Sequence, residues 1–114
     1  MIVIGNGGVL VLDKPEGPTS HDVVAAVRRA LGVRRVGHCG TLDPLATGVL
    51  VVCVGPMTRL SQWLTGGDKE YEATLRLGAS SDTDDALGQI TPVPVAVPSC
   101  AVIEDRLAAF RGWI

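Results

Sequence analysis

The sequence predicts an α+β domain, a mixed, mostly antiparallel sheet with helices packed on it. Three observations point there. Residues 8–12 (GVLVL) and 48–54 (GVLVVCV) are short apolar runs with the length and branching of buried strands. Residues 69–77 (KEYEATLRL) alternate, with Tyr71, Ala73, Leu75 and Leu77 on one side and Glu70, Glu72, Thr74 and Arg76 on the other. That is the period of a half-buried strand in an antiparallel or mixed sheet. Between the two apolar runs, residues 20–31 (SHDVVAAVRRAL) set Val23, Val27, Ala30 and Leu31 at three- and four-residue steps, one apolar stripe of a helix.

The remaining elements follow in order. Residues 13–20 (DKPEGPTS) hold two prolines and a glycine and read as a turn-rich loop. Ser20 is a suitable N-cap and Asp22 suits the first turn of the helix. Gly32 ends it as a C′ residue. A short segment, 33–36, leads into the loop GHCGTLDPLATGVL. Pro56 starts a short helix, 57–64 (MTRLSQWL), which Gly66 and Gly67 break. Residues 78–88 (GASSDTDDALG) form a polar, acidic loop. Residues 91–99 (TPVPVAVPS) carry three prolines, so they read as an edge strand or a linker. Ser99 caps a last helix, 100–110, with Val102, Ile103, Leu107 and Phe110 on one face. There is no internal repeat, low-complexity tract or interior domain boundary. Trp113 and Ile114 read as the start of another element, an apolar ending that implies further chain.

At 114 residues the chain is one domain or part of one. A hydrophobic fraction of 46% and a mean hydropathy of +0.32 exclude a disordered chain. The net charge of −2 and pI near 5.5 are not the global signature of a nucleic-acid binder. Charge is uneven, however. Arg28, Arg29, Arg34 and Arg35 fall together, while acids gather later in Asp68, Glu70, Glu72, Asp82, Asp84 and Asp85. The arginines suit either phosphates or the negative end of a helix. Cys39, Cys53 and Cys100 are widely spaced with no CxxC pair, which argues against a zinc site and for a reducing, cytoplasmic setting. No signal peptide opens the chain, and its apolar runs are too short to span a membrane.

The loop 37–50 is the most unusual stretch. It holds three glycines and a single carboxylate, Asp43, between Leu42 and Pro44. Pro44 keeps the preceding residue out of the helical region. A restricted carboxylate in a glycine-rich loop before a buried strand fits a catalytic group. It also fits an Asx turn, in which Asp43 bonds its own backbone. A paired-carboxylate acid/base site is not evident, because no second acid lies nearby in sequence. A serine nucleophile elbow and phosphate-loop or dinucleotide fingerprints are absent. DTDDALG lacks the bidentate Glu of a calcium loop.

GHCGTLDPLATGVL resembles the signature of the TruB family of tRNA pseudouridine synthases, relatives of dyskerin. GVLVLDKPEGPTSHDVV resembles that family's opening strand and KP motif, KEYEATLRLG its tyrosine-bearing strand, and SDTDDALGQI the loop that follows. The resemblance implies the pseudouridine synthase catalytic fold and isomerisation of a uridine in the tRNA T-loop. It implies Asp43 as the catalytic carboxylate, acting on a flipped-out nucleotide without metal or organic cofactor. Tyr71 matches the family tyrosine that stacks on the base, though alone it reads equally as a core aromatic. His38 matches a histidine that contacts the RNA. Lys14 and Pro15, the loop residues Gly40, Thr41, Leu42 and Pro44, and the acid Asp85 match supporting positions. No family role passes to the arginine cluster.

Family members are much longer. Residues 1–114 therefore match the N-terminal portion of the catalytic domain, the rest of it and a C-terminal RNA-binding domain being absent. The absent half supplies an arginine that pairs with the catalytic aspartate. The implied partner is the T-arm of tRNA, with no membrane and no metal, and a monomer at full length. The alternative is a truncated, non-catalytic remnant that at most binds RNA weakly.

Overall fold

Strands β1 (Ile2–Ile4), β2 (Gly7–Lys14), β3 (Val36–His38) and β4 (Gly48–Val54) make one sheet in the order β1-β2-β4-β3, with antiparallel pairing throughout. This computed structural model describes residues 2–4 and 7–113. They cluster into two units, Met1–Glu70 and Tyr71–Ile114. Among the described residues no helix is long and apolar enough to cross a membrane.

The register of the first unit explains its core. Leu10 lies opposite Val52, Leu12 opposite Leu50 and Lys14 opposite Gly48. Val36 lies opposite Val54 and His38 opposite Val52. A period of two puts all of them on one face. Helix α1 (Ser20–Leu31) packs there. Val24, Val36, Leu42, Leu50, Val52 and Val54 form the buried cluster, with Leu10, Leu12, Val23, Val27, Val33 and Ala46 against it. Burying one such side chain fully is worth about 1.5–3 kcal/mol, so the stability of this unit concentrates between α1 and the sheet. On the opposite face Val11 and Val49 stay 63% and 69% exposed.

Two helix assignments need correction. The apolar stripe expected through Val23, Val27, Ala30 and Leu31 is rotated. Ser20 and Val24 are buried, Val23 and Val27 half-buried, and Ala30 and Leu31 exposed. The face meeting the sheet runs through Ser20, Val24 and Val27, one i, i+4, i+7 line. The N-cap is Thr19, not Ser20. Its hydroxyl accepts from the Asp22 N–H at 3.1 Å, and the Asp22 carboxylate accepts from the Thr19 N–H at 2.8 Å, which closes a capping box. Gly32 ends the helix as expected, with a φ of 63° that a residue bearing Cβ adopts only at a cost.

After β4 the chain makes a 3-10 turn over Gly55–Leu60 and a short helix α2 (Ser61–Thr65), where one helix over 57–64 was expected. Pro56 sits in the first turn of this tighter helix, where its missing N–H would have no helical partner.

In the second unit the expected strand over residues 69–77 is not formed. Residues 68–76 have no regular structure, and Tyr71, Leu75 and Leu77 are 65%, 79% and 47% exposed. Alternation sets the two faces of a strand. The strand itself exists only when a neighbouring backbone supplies its hydrogen bonds, and no described strand does so. Instead β5 (Ala79–Ser81) and β6 (Ile90–Pro92) pair as a hairpin, converting the ends of the expected acidic loop and the proline-rich segment into short strands. Helix α3 (Cys100–Leu107) continues into a 3-10 turn over Ala108–Phe110. Among the described residues of this unit no apolar side chain is fully buried.

The capping box predicts a specific stability profile. Thr19→Ala lowers the unfolding free energy by about 1 kcal/mol in chemical denaturation. The Asp22 carboxyl is held below its usual range, first by the Thr19 hydroxyl and then by the Thr19 N–H. A depressed native pKa contributes stability above the ordinary value of 3.8, which is lost as pH falls through the native value. Asp22→Asn is therefore less stable than the parent near pH 7, and the difference narrows as pH falls through the native value. A constant difference across that range contradicts the assignment.

Candidate active site

The site is built where the end of β2, the start of α1 and the loop after β3 meet. Lys14 occupies the last position of β2 and is fully buried. Its Nζ donates to the carbonyls of Pro15 at 2.9 Å, Pro18 at 2.8 Å and Pro44 at 3.2 Å. An ammonium has three protons, and all are used. The Gly17 N–H donates to the same Pro44 carbonyl at 2.8 Å. The residue after Asp43 is thus tied to the 15–18 turn twice.

The residue before Asp43 is tied as firmly. The Ser20 hydroxyl, buried at the start of α1, donates to the Leu42 carbonyl at 3.1 Å and accepts from the Leu42 N–H at 2.9 Å. One hydroxyl here satisfies both polar groups of a buried residue, as a strand partner would. Leu42 itself enters the core cluster. With Thr19 acting as the cap, Ser20 is free for this bond. Sequence reasoning missed this role, since two adjacent hydroxyls before a helix are equivalent on paper.

Asp43 stands exposed between these anchors. Its carbonyl accepts from the Ala46 N–H at 3.0 Å, closing a turn. Among the described residues its carboxylate has no hydrogen-bond partner, so the Asx turn considered from the sequence is not formed. Thr41 and Pro44 are exposed beside it.

His38 lies at the end of β3 rather than in the loop, half-buried on the face that carries Val36. Its Nδ1 is 2.6 Å from the Gly40 carbonyl. A carbonyl only accepts, so Nδ1 is the donor in this contact. Gly40 turns with a φ of 108°, which favours glycine. The His21 ring of α1 packs edge-on against His38 with centroids 5.3 Å apart. No sequence signal joined these two histidines.

Cys39 and Cys53 meet on the other face of the sheet, both buried, with sulfurs 3.4 Å apart. The Cys39 N–H donates to the Val51 carbonyl at 2.8 Å, extending the β3–β4 pairing towards the loop. Burial, then the contact with Cys53, pushes the Cys39 thiol up to about 11. These two thiols pack the loop's base.

Tyr71 and Asp85 belong to the second unit. Tyr71 is exposed within the irregular segment. The Asp85 carboxylate accepts from the Thr83 hydroxyl at 2.7 Å and the Leu87 N–H at 2.9 Å. Those bonds, the Thr83 hydroxyl first, hold it below the usual carboxylate range. The first unit therefore gathers Lys14, Pro15, His38, Gly40, Thr41, Leu42, Asp43 and Pro44 around one loop.

Two measurements check this arrangement. Ser20→Ala leaves the Leu42 N–H and carbonyl buried without a partner, at a cost of about 1–3 kcal/mol. Hydrogen exchange at Leu42 then accelerates more than exchange in the centre of β4, which speeds only by the loss of global stability; unchanged protection at Leu42 contradicts the pairing. In thiol labelling near pH 8, Cys100 reacts at once, and Cys39 and Cys53 only after denaturation.

The family described as "TruB family pseudouridylate synthase (N terminal domain)" matches residues 28–114. The tRNA pseudouridine synthase B of Opitutus terrae is 49% identical over 106 residues, 92% of this chain and 44% of that protein. That of Thermobifida fusca is 65% identical over 83 residues, 73% of this chain and 28% of that protein. A solved H/ACA RNP bound to a substrate RNA containing 2'-deoxyuridine includes a chain 50% identical over 51% of this one and 18% of its own length, with a TM-score of 0.48. The chain spans less than half the length of these relatives. With most of its residues inside the family match, the chain belongs to the TruB family of pseudouridylate synthases.

Proposed function

We propose that this chain is the N-terminal portion of a catalytic domain that converts a uridine in the T-loop of tRNA to pseudouridine, with Asp43 as its catalytic carboxylate. In that reaction the bond from N1 to the sugar breaks, the base rotates, and C5 joins the sugar. The C5 proton leaves and N1 gains one. Asp43 either adds covalently to the nucleotide or deprotonates the sugar so that a glycal forms. Either role needs an ionised carboxylate in a defined place. The target base must leave its stack to reach it. Tyr71 stacks on that base and His38 contacts the RNA beside it. Lys14, Pro15, Gly40, Thr41, Leu42, Pro44 and Asp85 support the site. The protein works in the cytoplasm, as a monomer at full length, with the remaining catalytic strands and an RNA-binding domain in the rest of its length.

One observation carries the reading. The Asp43 carboxylate is exposed and unbonded among the described residues, while the residues on both sides of it are fixed by Ser20 and Lys14. Rigid backbone under a free carboxylate is wasteful in a structural turn and useful in a reaction. The remnant reading draws on a different observation, the second unit's lack of a fully buried apolar side chain among its described residues.

The test uses a T-arm stem-loop tritiated at C5 of its uridines, because isomerisation releases that tritium to water. Little or no release is expected from the chain alone. Release is expected when the remaining part of a close relative's catalytic domain is added. Asp43→Ala should lower the rate by about 10²–10⁴-fold or more. Release that survives Asp43→Ala overturns the assignment, and no release in any mixture favours the remnant.

A further inference from the structure

The far end of α1 carries a second feature that the reaction does not use. Arg28, Arg29, Gly32, Val33 and Arg34 line a shallow groove of about 430 Å³ in the first unit. Cations near a helix C-terminus are expected from the dipole, and Arg28 and Arg29 lie in the last turn. Arg34 lies beyond the helix and has no such explanation. It is brought beside the other two because Gly32 reverses the chain. The loop is then fixed by Arg35, whose carbonyl accepts from the Gly55 N–H at 2.7 Å and whose Nε donates to the Thr58 hydroxyl at 2.7 Å. Arg28 is also anchored, its guanidinium donating to the Val36 carbonyl at 2.8 Å. No acid lines the groove. The helix's own acid, Asp22, is two turns away and committed to Thr19.

From these residues we propose that the groove of Arg28, Arg29 and Arg34 binds backbone phosphates of the RNA on which Asp43 acts. The inference rests on the proposed function, and α1 supplies the geometry. The helix's first residue, Ser20, is bonded to Leu42 beside Asp43. Its last turn borders the groove, roughly 17 Å away at 1.5 Å per residue. A nucleic-acid duplex carries on the order of ten phosphates along such a length. In a chain of net charge −2, three guanidinium groups lining one groove with no acid among its lining residues are a local phosphate site rather than a general attraction. Guanidinium forks match phosphate oxygens in pairs.

The experiment follows binding of two labelled hairpins, the T-arm and a scrambled hairpin of equal length, across a salt series. It compares the 114-residue chain with Arg29→Gln/Arg34→Gln and with Arg29→Lys/Arg34→Lys. Arg28 is left intact because it holds the Val36 carbonyl. The Gln pair should weaken both hairpins about tenfold or more at moderate salt and reduce the slope of log K against log salt by roughly 1 per arginine removed. The Lys pair, which keeps the charge, should retain most of the slope. An unchanged slope in the Gln pair, or no measurable RNA binding by the parent chain, overturns the proposal. A loss confined to the T-arm hairpin also overturns it, since phosphates carry no sequence. Tritium release separates the two readings. Isomerisation with an unchanged slope removes only the groove, and a lost slope without isomerisation in any mixture removes only the proposed reaction.

Discussion

The Lys14 ammonium among three proline carbonyls is the constraint on which the site depends. A cation taken wholly out of water costs several kcal/mol even in a relaxed protein interior. Hydrogen bonds to a charged group return about 1.5–3 kcal/mol each, so the position is tolerable only when all three protons are satisfied. That requirement couples the end of β2, the 15–18 turn and Pro44, because a shift in any one leaves a buried proton unmet. The coupling also explains why the residue is a lysine. An ammonium is a compact point with three rotatable donors, whereas a guanidinium is a wide planar fork that three converging carbonyls cannot surround.

Two adjacent hydroxyls divide the remaining work. Thr19 points back to close the capping box, and Ser20 points inward to Leu42. The same helical turn thus fixes its own start and the loop that carries Asp43. Because Leu42 is also a core residue, the hydrophobic packing of α1 and the position of the carboxylate are not independent. Damage to the packing around Val24 reaches Asp43 through a single intervening residue.

Much of the first unit was legible in the sequence, and the reasons differ by element. The apolar runs of β2 and β4, the reach of α1 and the stop at Gly32 depend on local pattern and backbone freedom, which residues display directly. The short strands β1 and β3 carry too few residues for a period. The failed strand at residues 69–77 shows the limit most clearly, since its alternation is clean but pairing is a property of two backbones. The loop singled out Asp43 but left a catalytic group and an Asx turn both open, because the partner of a side chain is not written in its spacing. The burial of Lys14 was not readable from composition, because lysine is among the residues least often buried; only the KP motif marked the position. Ser20, the Cys39–Cys53 contact and the His21–His38 pair join residues distant in sequence through side chains alone, and no spacing rule announces them.

The anchors of the loop also have an order in time. Every hydrogen bond that fixes residues 42–44 is made between Lys14 and Ala46, and the base of the loop is completed by residues of β4. A polypeptide is made from its N-terminus, and its early segments can fold before later ones exist. The clamp on Asp43 is therefore closed by segments that precede the whole of the second unit, so its assembly calls on no residue after Cys53.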